Sequence, residues 1–289
     1  MTDTTWNEAD PPELAPLTLA QKLRGGLRVL GLVAVTLVCL GLFLLGHNLR
    51  RALGRKGMGR WIVFHFGAAR AWSRLGLALL GLRHRVEGTP IGRGAMVANH
   101  CSWIDILTLR ACRLVYFVSK ADVAEWPGVG FITRVTGTVF IERKRTEAKR
   151  QEAVLLERIA ADQVLCFFPE GTSTDGLRVL PFKSSLFSAF FHDGHAEPVL
   201  VQPVSVRYHP GPGLPAALYG WWGSMGFEEH IWQIACRSRG GLAEVIFHAP
   251  VRPDDFANRK ALAAACHAAV AKGHAEAGRR QAGAAPVDA

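Results

Sequence analysis

The sequence predicts an α/β fold, a mixed and largely buried sheet flanked by helices, preceded by an N-terminal membrane helix. Three observations carry this expectation. From Met96 onward, short runs rich in β-branched and aromatic residues alternate with helix-length patterns, the arrangement that layers helices on a sheet. The strand runs are mostly apolar, as strands covered on both faces are. Near the N-terminus, the run 29–46, VLGLVAVTLVCLGLFLLG, carries no charge.

At about 1.5 Å per residue that run reaches roughly 27 Å, close to the thickness of a bilayer core. A secretory signal is the competing reading, but the run starts late and lacks a small-residue cleavage site. Arg50, Arg51, Arg55, Lys56 and Arg60 follow it, against Lys22, Arg24 and Arg28 before it. The bias of basic residues to the inner side then places the rest of the chain at the cytoplasmic face of a bacterial-type inner membrane. The stretch 61–82 is apolar but broken by His65, Arg70 and Arg74. An interfacial amphipathic helix fits it better than a second span, and a core-facing helix of the globular domain is the alternative.

Beyond it, Met96 to Ala98, Tyr116 to Ser119, Thr138 to Glu142, Val164 to Phe168, Val199 to Tyr208 and Ala243 to His248 read as strands. Ile104 to Cys112, Thr146 to Ala161, Ser184 to Phe191 and Arg259 to about His274 read as helices. Residues 219–222 belong to an aromatic loop, and Pro203 inside its strand suggests an edge or a bulge. The tail after Gly278 has the composition of a disordered terminus.

The net charge of +10 invites an anionic partner, nucleic acid or a lipid surface. No nucleic-acid module accompanies the basic residues, and a hydrophobic fraction of 49% favours membrane lipids. The six cysteines show no CxxC pair, so they read as reduced thiols, and nothing asks for a metal or other cofactor.

The run Asn99-His100-Cys101-Ser102-Trp103-Ile104-Asp105 offers a general base and a carboxylate at short range. Imidazole titrates near neutrality, so His100 can take a proton from a hydroxyl while Asp105 fixes its tautomer and stabilises the imidazolium. Five residues correspond to about 500° on an ideal helix, so the two cannot share a face mid-helix. His100 therefore belongs to a strand-to-helix loop and Asp105 to the first helical turn. Cys101 and Ser102 are candidate nucleophiles, but immediate neighbours rarely adopt base-to-nucleophile geometry, and Ser102 is well placed as an N-cap. Lys120, closing a strand, is a candidate cation for an anionic headgroup, and Arg143 lies in the basic run Arg143-Lys144-Arg145, which by itself reads as solvated surface charge.

Downstream come Gly137-Thr138-Val139-Phe140-Ile141-Glu142-Arg143, then Phe168-Pro169-Glu170-Gly171-Thr172, then Val201-Gln202-Pro203-Val204. Together with the Asn99 to Asp105 run, these resemble the four-block signature of the glycerolipid acyltransferases, over residues 82–210. The resemblance implies the glycerol-3-phosphate acyltransferase-like fold. It also implies transfer of an acyl chain from a thioester carrier, acyl-CoA or acyl carrier protein, to a lysolipid hydroxyl. It assigns catalysis to His100 and Asp105, the acceptor phosphate to Arg143, and the acceptor pocket to Glu170, Gly171 and Thr172, with Glu170 alternatively ordering Arg143. Ser185 stands where many members carry glycine after a Pro-Phe-Lys run, here Pro181-Phe182-Lys183. On this reading residues 1–26 form a polar segment, 27–82 the membrane anchor, 83–275 the catalytic domain and 276–289 a disordered tail.

The first acceptor to consider is 1-acyl-sn-glycerol 3-phosphate, giving phosphatidic acid. Residues 168–187 and the aromatic stretch near Trp221 also resemble bacterial acyltransferases of lyso-ornithine lipid. A non-catalytic lipid-binding protein is the alternative of another class, and the presence of His100, Asp105, Glu170 and Arg143 together argues against it. A serine hydrolase lacks its GxSxG elbow here.

Overall fold

The computed structural model describes residues 6–53, 58–141, 148–191 and 199–283. Arg143, Glu142 and the end of the tail lie outside them. Among the described residues the sheet has seven strands in the order β1-β7-β6-β2-β5-β3-β4. They are β1 (Leu82–Glu87), β2 (Gly94–Ala98), β3 (Tyr116–Lys120), β4 (Val139–Ile141), β5 (Val164–Phe167), β6 (Val201–His209) and β7 (Gly241–Phe247). β6, β2, β5, β3 and β4 are mutually parallel; β7 is antiparallel to β6, and β1 parallel to β7, so the sheet is mixed. β1 is not legible in the sequence, because LRHRVE is largely exposed and charged, as edge strands are, and leaves no apolar run to read.

Two helical layers cover the sheet. On one face, α3 (Ile104–Cys112) and α6 (Phe227–Arg237) bury Ile104, Leu107 and Ile234 against Met96, Ala98, Val204 and Tyr208. On the other, α5 (Ala148–Ala160) and α7 (Arg259–Gly283) bury Leu155, Ile159, Leu262 and Cys266 against Ala95, Val97, Leu165 and Val201. Strand alternation sorts the side chains: along β2, 96 and 98 serve the first core, 95 and 97 the second.

α1 (Leu19–Leu53) and α2 (Met58–Leu79) add a hairpin outside the first layer, α1 against α2 and α6, α2 against α3. Leu19–Asn48 is long and apolar enough to cross a membrane, and Leu30, Val33, Leu37, Val38 and Leu45 are exposed on it. Arg24 and Arg28, expected only as a basic flank, reach the last carbonyls of α6: Arg24 bonds Cys236 O, and Arg28 donates to Ala235 O at 3.0 Å and Ser238 O at 2.6 Å. Arg70 and Arg74 likewise donate to Ala111 O at the end of α3, at 3.0 and 3.3 Å. These guanidiniums satisfy orphan carbonyls at the negative ends of two helices, which ties the hairpin to the globular domain.

Several local expectations are corrected. Pro203 lies in a central strand, β6, between β2 and β7, and not at an edge. Its carbonyl faces the β7 side, where it accepts His248 N–H at 3.1 Å just past the end of β7, so the missing donor falls where the ladder finishes. The stretch 184–191 holds a 3-10 helix, Leu186–Phe191, in place of an α-helix. α7 continues to Gly283, past the expected end of order, and places Gln281 Oε1 2.6 Å from His209 Nδ1. The aromatic loop is followed by α6, whose Glu228 and Glu229 in the first turn and Arg237 in the last are favourable dipole charges.

Candidate active site

The carboxyl ends of the parallel strands converge on one edge. His100 follows β2, Glu170 follows β5, and Lys120 closes β3. Arg143 comes two residues after β4 in sequence and lies outside the described residues. Crevices beyond such ends are the usual ligand sites of open α/β sheets.

His100 and Asp105 meet as the spacing requires, His100 in the β2–α3 loop and Asp105 in the first turn of α3. His100 Nδ1 is 2.7 Å from Asp105 Oδ2. The same oxygen accepts the N–H groups of Cys101 at 2.8 Å and Ser102 at 3.0 Å, while Oδ1 accepts the Tyr208 hydroxyl at 2.7 Å. Asp105 is fully buried, so its charge rests on these four donors. With Nδ1 given to Asp105, Nε2 is the nitrogen on the opposite side of the ring that can meet a substrate hydroxyl. The imidazole stacks on Phe168, ring centroids 4.1 Å apart and planes 12° from parallel, and Phe168 in turn lies against Phe117.

The loop that carries His100 is held at nearly every backbone polar group. His100 N–H donates to Glu170 Oε1 at 2.8 Å, and His100 O accepts Thr174 N–H at 3.1 Å. Trp221 N–H donates to Cys101 O at 3.0 Å. Asn99 pairs in both directions with Val206 of β6, at 2.9 and 2.8 Å, which stitches the end of β2 to its neighbour. Such full satisfaction gives the His100 side chain a rigid mount.

Glu170, expected in the acceptor pocket, is buried and used from within: its second oxygen accepts Leu180 N–H at 3.1 Å. It therefore clamps the His100 loop to the 170–180 loop. Burial pushes its carboxyl up to about 8, against two backbone N–H bonds that favour the charged form. Gly171 makes the turn at φ +74°, a conformation suited to glycine, with its N–H on Phe168 O at 3.0 Å. Thr172 Oγ1 accepts Trp6 N–H at 3.1 Å, so the N-terminal segment reaches the pocket region.

Cys101 is buried, and burial and then the Asp105 carboxylate push its thiol well above the usual range. A protonated, enclosed thiol is a poor nucleophile. Ser102 is not the helix N-cap; Trp103 holds that position without a side-chain bond, and Ser102 Oγ accepts only a long 3.4 Å bond from Ile104 N–H. The Asp105 carboxylate has taken over the capping of the loop amides.

Tyr208 is the site residue that local sequence reasoning misses, since it lies 103 positions from Asp105 and in an apolar strand with no motif of its own. Burial first, and the Asp105 charge second, push its phenol well above the usual range, so it stays a donor; Thr108 Oγ1 lies 2.9 Å from the same hydroxyl. Tyr208→Phe should remove one of the four bonds to Asp105, costing about 1–3 kcal/mol of stability and lowering kcat modestly, on the order of 10-fold. Thermal unfolding and turnover of the purified variant check this; unchanged stability and rate would remove Tyr208 from the site.

A rim of half-buried aromatic rings flanks the His100 loop. Trp103, Trp126, Trp221 and Phe227 lie with neighbouring centroids 5.5 to 6.0 Å apart. Exposed Glu125, Glu228 and Glu229 adjoin them in sequence, and no Lys or Arg occurs in residues 121–133 or 208–236. Arg134 reaches the same rim, donating to Ala124 O at 2.6 Å beside Glu125.

The family model described as Acyltransferase matches residues 83–207. A lyso-ornithine lipid O-acyltransferase of Rhodobacter capsulatus is 44% identical over 282 residues, covering 94% of this chain and 98% of that protein. A 1-acyl-sn-glycerol-3-phosphate acyltransferase of Neisseria meningitidis is 31% identical over 156 residues, 51% of this chain and 59% of that protein. The crystal structure of the 1-acyl-sn-glycerophosphate (LPA) acyltransferase from Thermotoga maritima shares the fold, with a TM-score of 0.63 at 23% identity over 89% of this chain and 97% of that one.

Proposed function

We propose, from the premise that the chain belongs to the acyltransferase family, that it transfers a fatty acyl group from a thioester carrier to the free hydroxyl of lyso-ornithine lipid. Acyl transfer to lysophospholipid-like substrates follows from the family and its relatives. The observation that carries the acceptor is the near-full-length 44% identity to an enzyme named for that lipid, against a shorter and weaker match to the glycerophosphate enzyme. The aromatic rim supports it: ornithine's side-chain ammonium suits ring faces with Glu125, Glu228 and Glu229 beside them, and Arg134 stands at the same rim for its carboxylate.

In the proposed step the acceptor hydroxyl attacks the thioester carbonyl carbon as His100 Nε2 takes its proton. Asp105 stabilises the imidazolium so formed. The tetrahedral intermediate then collapses, the C–S bond breaks, and the imidazolium returns the proton to the departing sulfur. The products are an ester and a free thiol, and no acyl-enzyme forms. The buried, protonated Cys101 supports the direct route. Lys120, Gly171 and Thr172 remain candidates for acceptor contacts at this edge. Arg143, by the same resemblance that names it, would serve an acceptor phosphate.

The test is a panel of lysolipids presented to the purified protein in detergent with acyl-CoA and acyl carrier protein thioesters. Lyso-ornithine lipid should be used with kcat/KM at least about 10-fold above 1-acyl-sn-glycerol 3-phosphate, the scale of one well-placed charged contact. The reverse order, with Arg143→Ala raising the KM of the phosphate acceptor alone, would establish the glycerophosphate reaction instead.

We further propose that the α1–α2 hairpin anchors the protein in the inner membrane through the apolar face of α1, with the catalytic domain on the cytoplasmic side, where thioester carriers are available. The exposed apolar stripe of Leu19–Asn48 supports this. Membranes washed with carbonate or high salt should retain the protein, because apolar surface embedded in lipid is insensitive to charge screening. Release by salt alone would overturn it.

A further inference from the structure

On the face of the sheet opposite the α1–α2 hairpin, a cavity of about 450 Å³ opens between the loop 177–179 and the C-terminal half of α7. Its cations are Arg178, Arg207 and Arg279, joined by His274, and none of its lining residues is a carboxylate. The volume is that of a ligand pocket.

Its position follows from strand alternation at the end of β6. Tyr208 points into the α3 layer and bonds Asp105; Arg207, one residue earlier, points to the α7 side. Arg207 Nη1 donates to Leu177 O at 3.3 Å and lies 3.2 Å from both ring nitrogens of His274. Its buried Nε has no partner among the described residues. His274 Nε2 is 3.0 Å from Gly176 O, and burial, then Arg207, push the imidazole down to about 4. His274 is thus neutral and orients Arg207 without adding charge. Gly278 leaves the guanidinium room against α7, since a Cβ there would stand 3.3 Å from Arg207 Nη2. Arg178 donates to both Asp175 oxygens, at 3.3 and 2.9 Å, and stacks on Trp6 at 4.9 Å, so it adds only part of its charge, while Arg279 is exposed.

The segment that lends Leu177, Arg178 and Val179 to this cavity holds the His100 loop through the residues just before them. Thr174 N–H holds His100 O, and a Cβ on Gly176 would overlap Cys101 Sγ. A site for anions therefore lies directly behind the base, on the layer away from the membrane helices. A lipid acceptor dissolved in the bilayer arrives from the α1–α6 side, where the aromatic rim is. A water-soluble thioester needs the other approach.

We propose that this cavity binds the phosphate of the phosphopantetheine carrier of the acyl donor, through Arg207, Arg178 and Arg279. Guanidinium forks match phosphate oxygens bidentately, and Arg207 Nη2, beside Gly278 in the cavity lining, is the arm offered to such an oxygen. The proposal rests on the thioester donor of the reaction above. It says nothing of the acceptor.

The experiment uses the full-length protein in detergent and three donors: acyl-CoA, acyl carrier protein thioester, and acyl-pantetheine, which lacks the phosphate. Arg279→Glu and Arg178→Gln should each raise the KM of the phosphate-bearing donors by about 10-fold, the loss of one charged contact. The KM of acyl-pantetheine and of the lipid acceptor should not move. Unchanged KM for the phosphate-bearing donors, an equal rise for acyl-pantetheine, or a rise in acceptor KM alone would overturn the site. Calorimetric titration of CoA into the full chain separates this from the functional reading. Binding that weakens about 10-fold in both variants upholds the site even in a protein that turns over no lysolipid, and absence of CoA binding to the wild type overturns it.

Discussion

A His100→Ala variant is expected to stay folded while losing acyl transfer on the order of 10³-fold, the range of a general base whose proton transfer has no substitute. The loss should fall on kcat, with the KM values of both substrates little changed. The structure explains why the fold should survive. The loop is fastened through the backbone N–H and C=O of residue 100, to Glu170 and Thr174, and by the Asp105 bonds to Cys101 and Ser102; none of these needs the imidazole. The side chain contributes its stacking on Phe168 and its bond to Asp105. Melting temperature and turnover of the purified variant settle the matter together. An enzyme retaining more than about a tenth of its rate would remove His100 from the base role, given the size expected for such a role.

Asp105→Asn separates charge from architecture. The amide can place its oxygen where Oδ2 now accepts His100 Nδ1, Cys101 N–H and Ser102 N–H, and its NH₂ toward Tyr208. The Tyr208 hydroxyl can then accept that hydrogen and donate to Thr108 Oγ1, 2.9 Å away. The imidazole keeps its tautomer but loses the carboxylate that stabilises its protonated form. The expected result is a folded enzyme with kcat lowered on the order of 10²-fold. Asp105→Ala should behave differently. It strands three buried donors and one ring nitrogen, at about 1–3 kcal/mol each before non-additivity, against a total stability of roughly 5–15 kcal/mol. Little folded protein should be recovered. If the Asp105→Asn enzyme ran at the wild-type rate, the carboxylate would be structural and the dyad reading would fail.

Much of this site is legible in the order of residues alone. The helix expected over Ile104 to Cys112 is found with those bounds, and the 500° separation puts His100 before it and Asp105 in its first turn, where both are. What the residues do in detail is less legible. The family resemblance turns Glu170 toward the acceptor, and the structure adds a use it does not name, one backbone N–H on each oxygen, from His100 and from Leu180. Position suits Ser102 to cap the helix, yet Asp105 gathers the loop amides instead. In each case a short polar side chain has several local partners of similar energy, and packing chooses among them.

The sequence by itself determined the layered α/β class, the apolar N-terminal run and the pairing of His100 with Asp105, because each rests on periodicity or spacing within short stretches of chain. Only the tertiary structure decided that Tyr208 completes the Asp105 shell, that Pro203 sits mid-sheet, and that Arg70 and Arg74 turn inward to α3. It also decided that Arg207 opens away from the base while its neighbour Tyr208 serves it. These depend on which strands become neighbours and in what register. Parallel pairing joins segments far apart in the chain, β2 with β6 for one, through backbone bonds that nearly every residue type can make. A register of that kind is selected by the burial of whole faces at once, and a one-residue slip would exchange Arg207 with Tyr208.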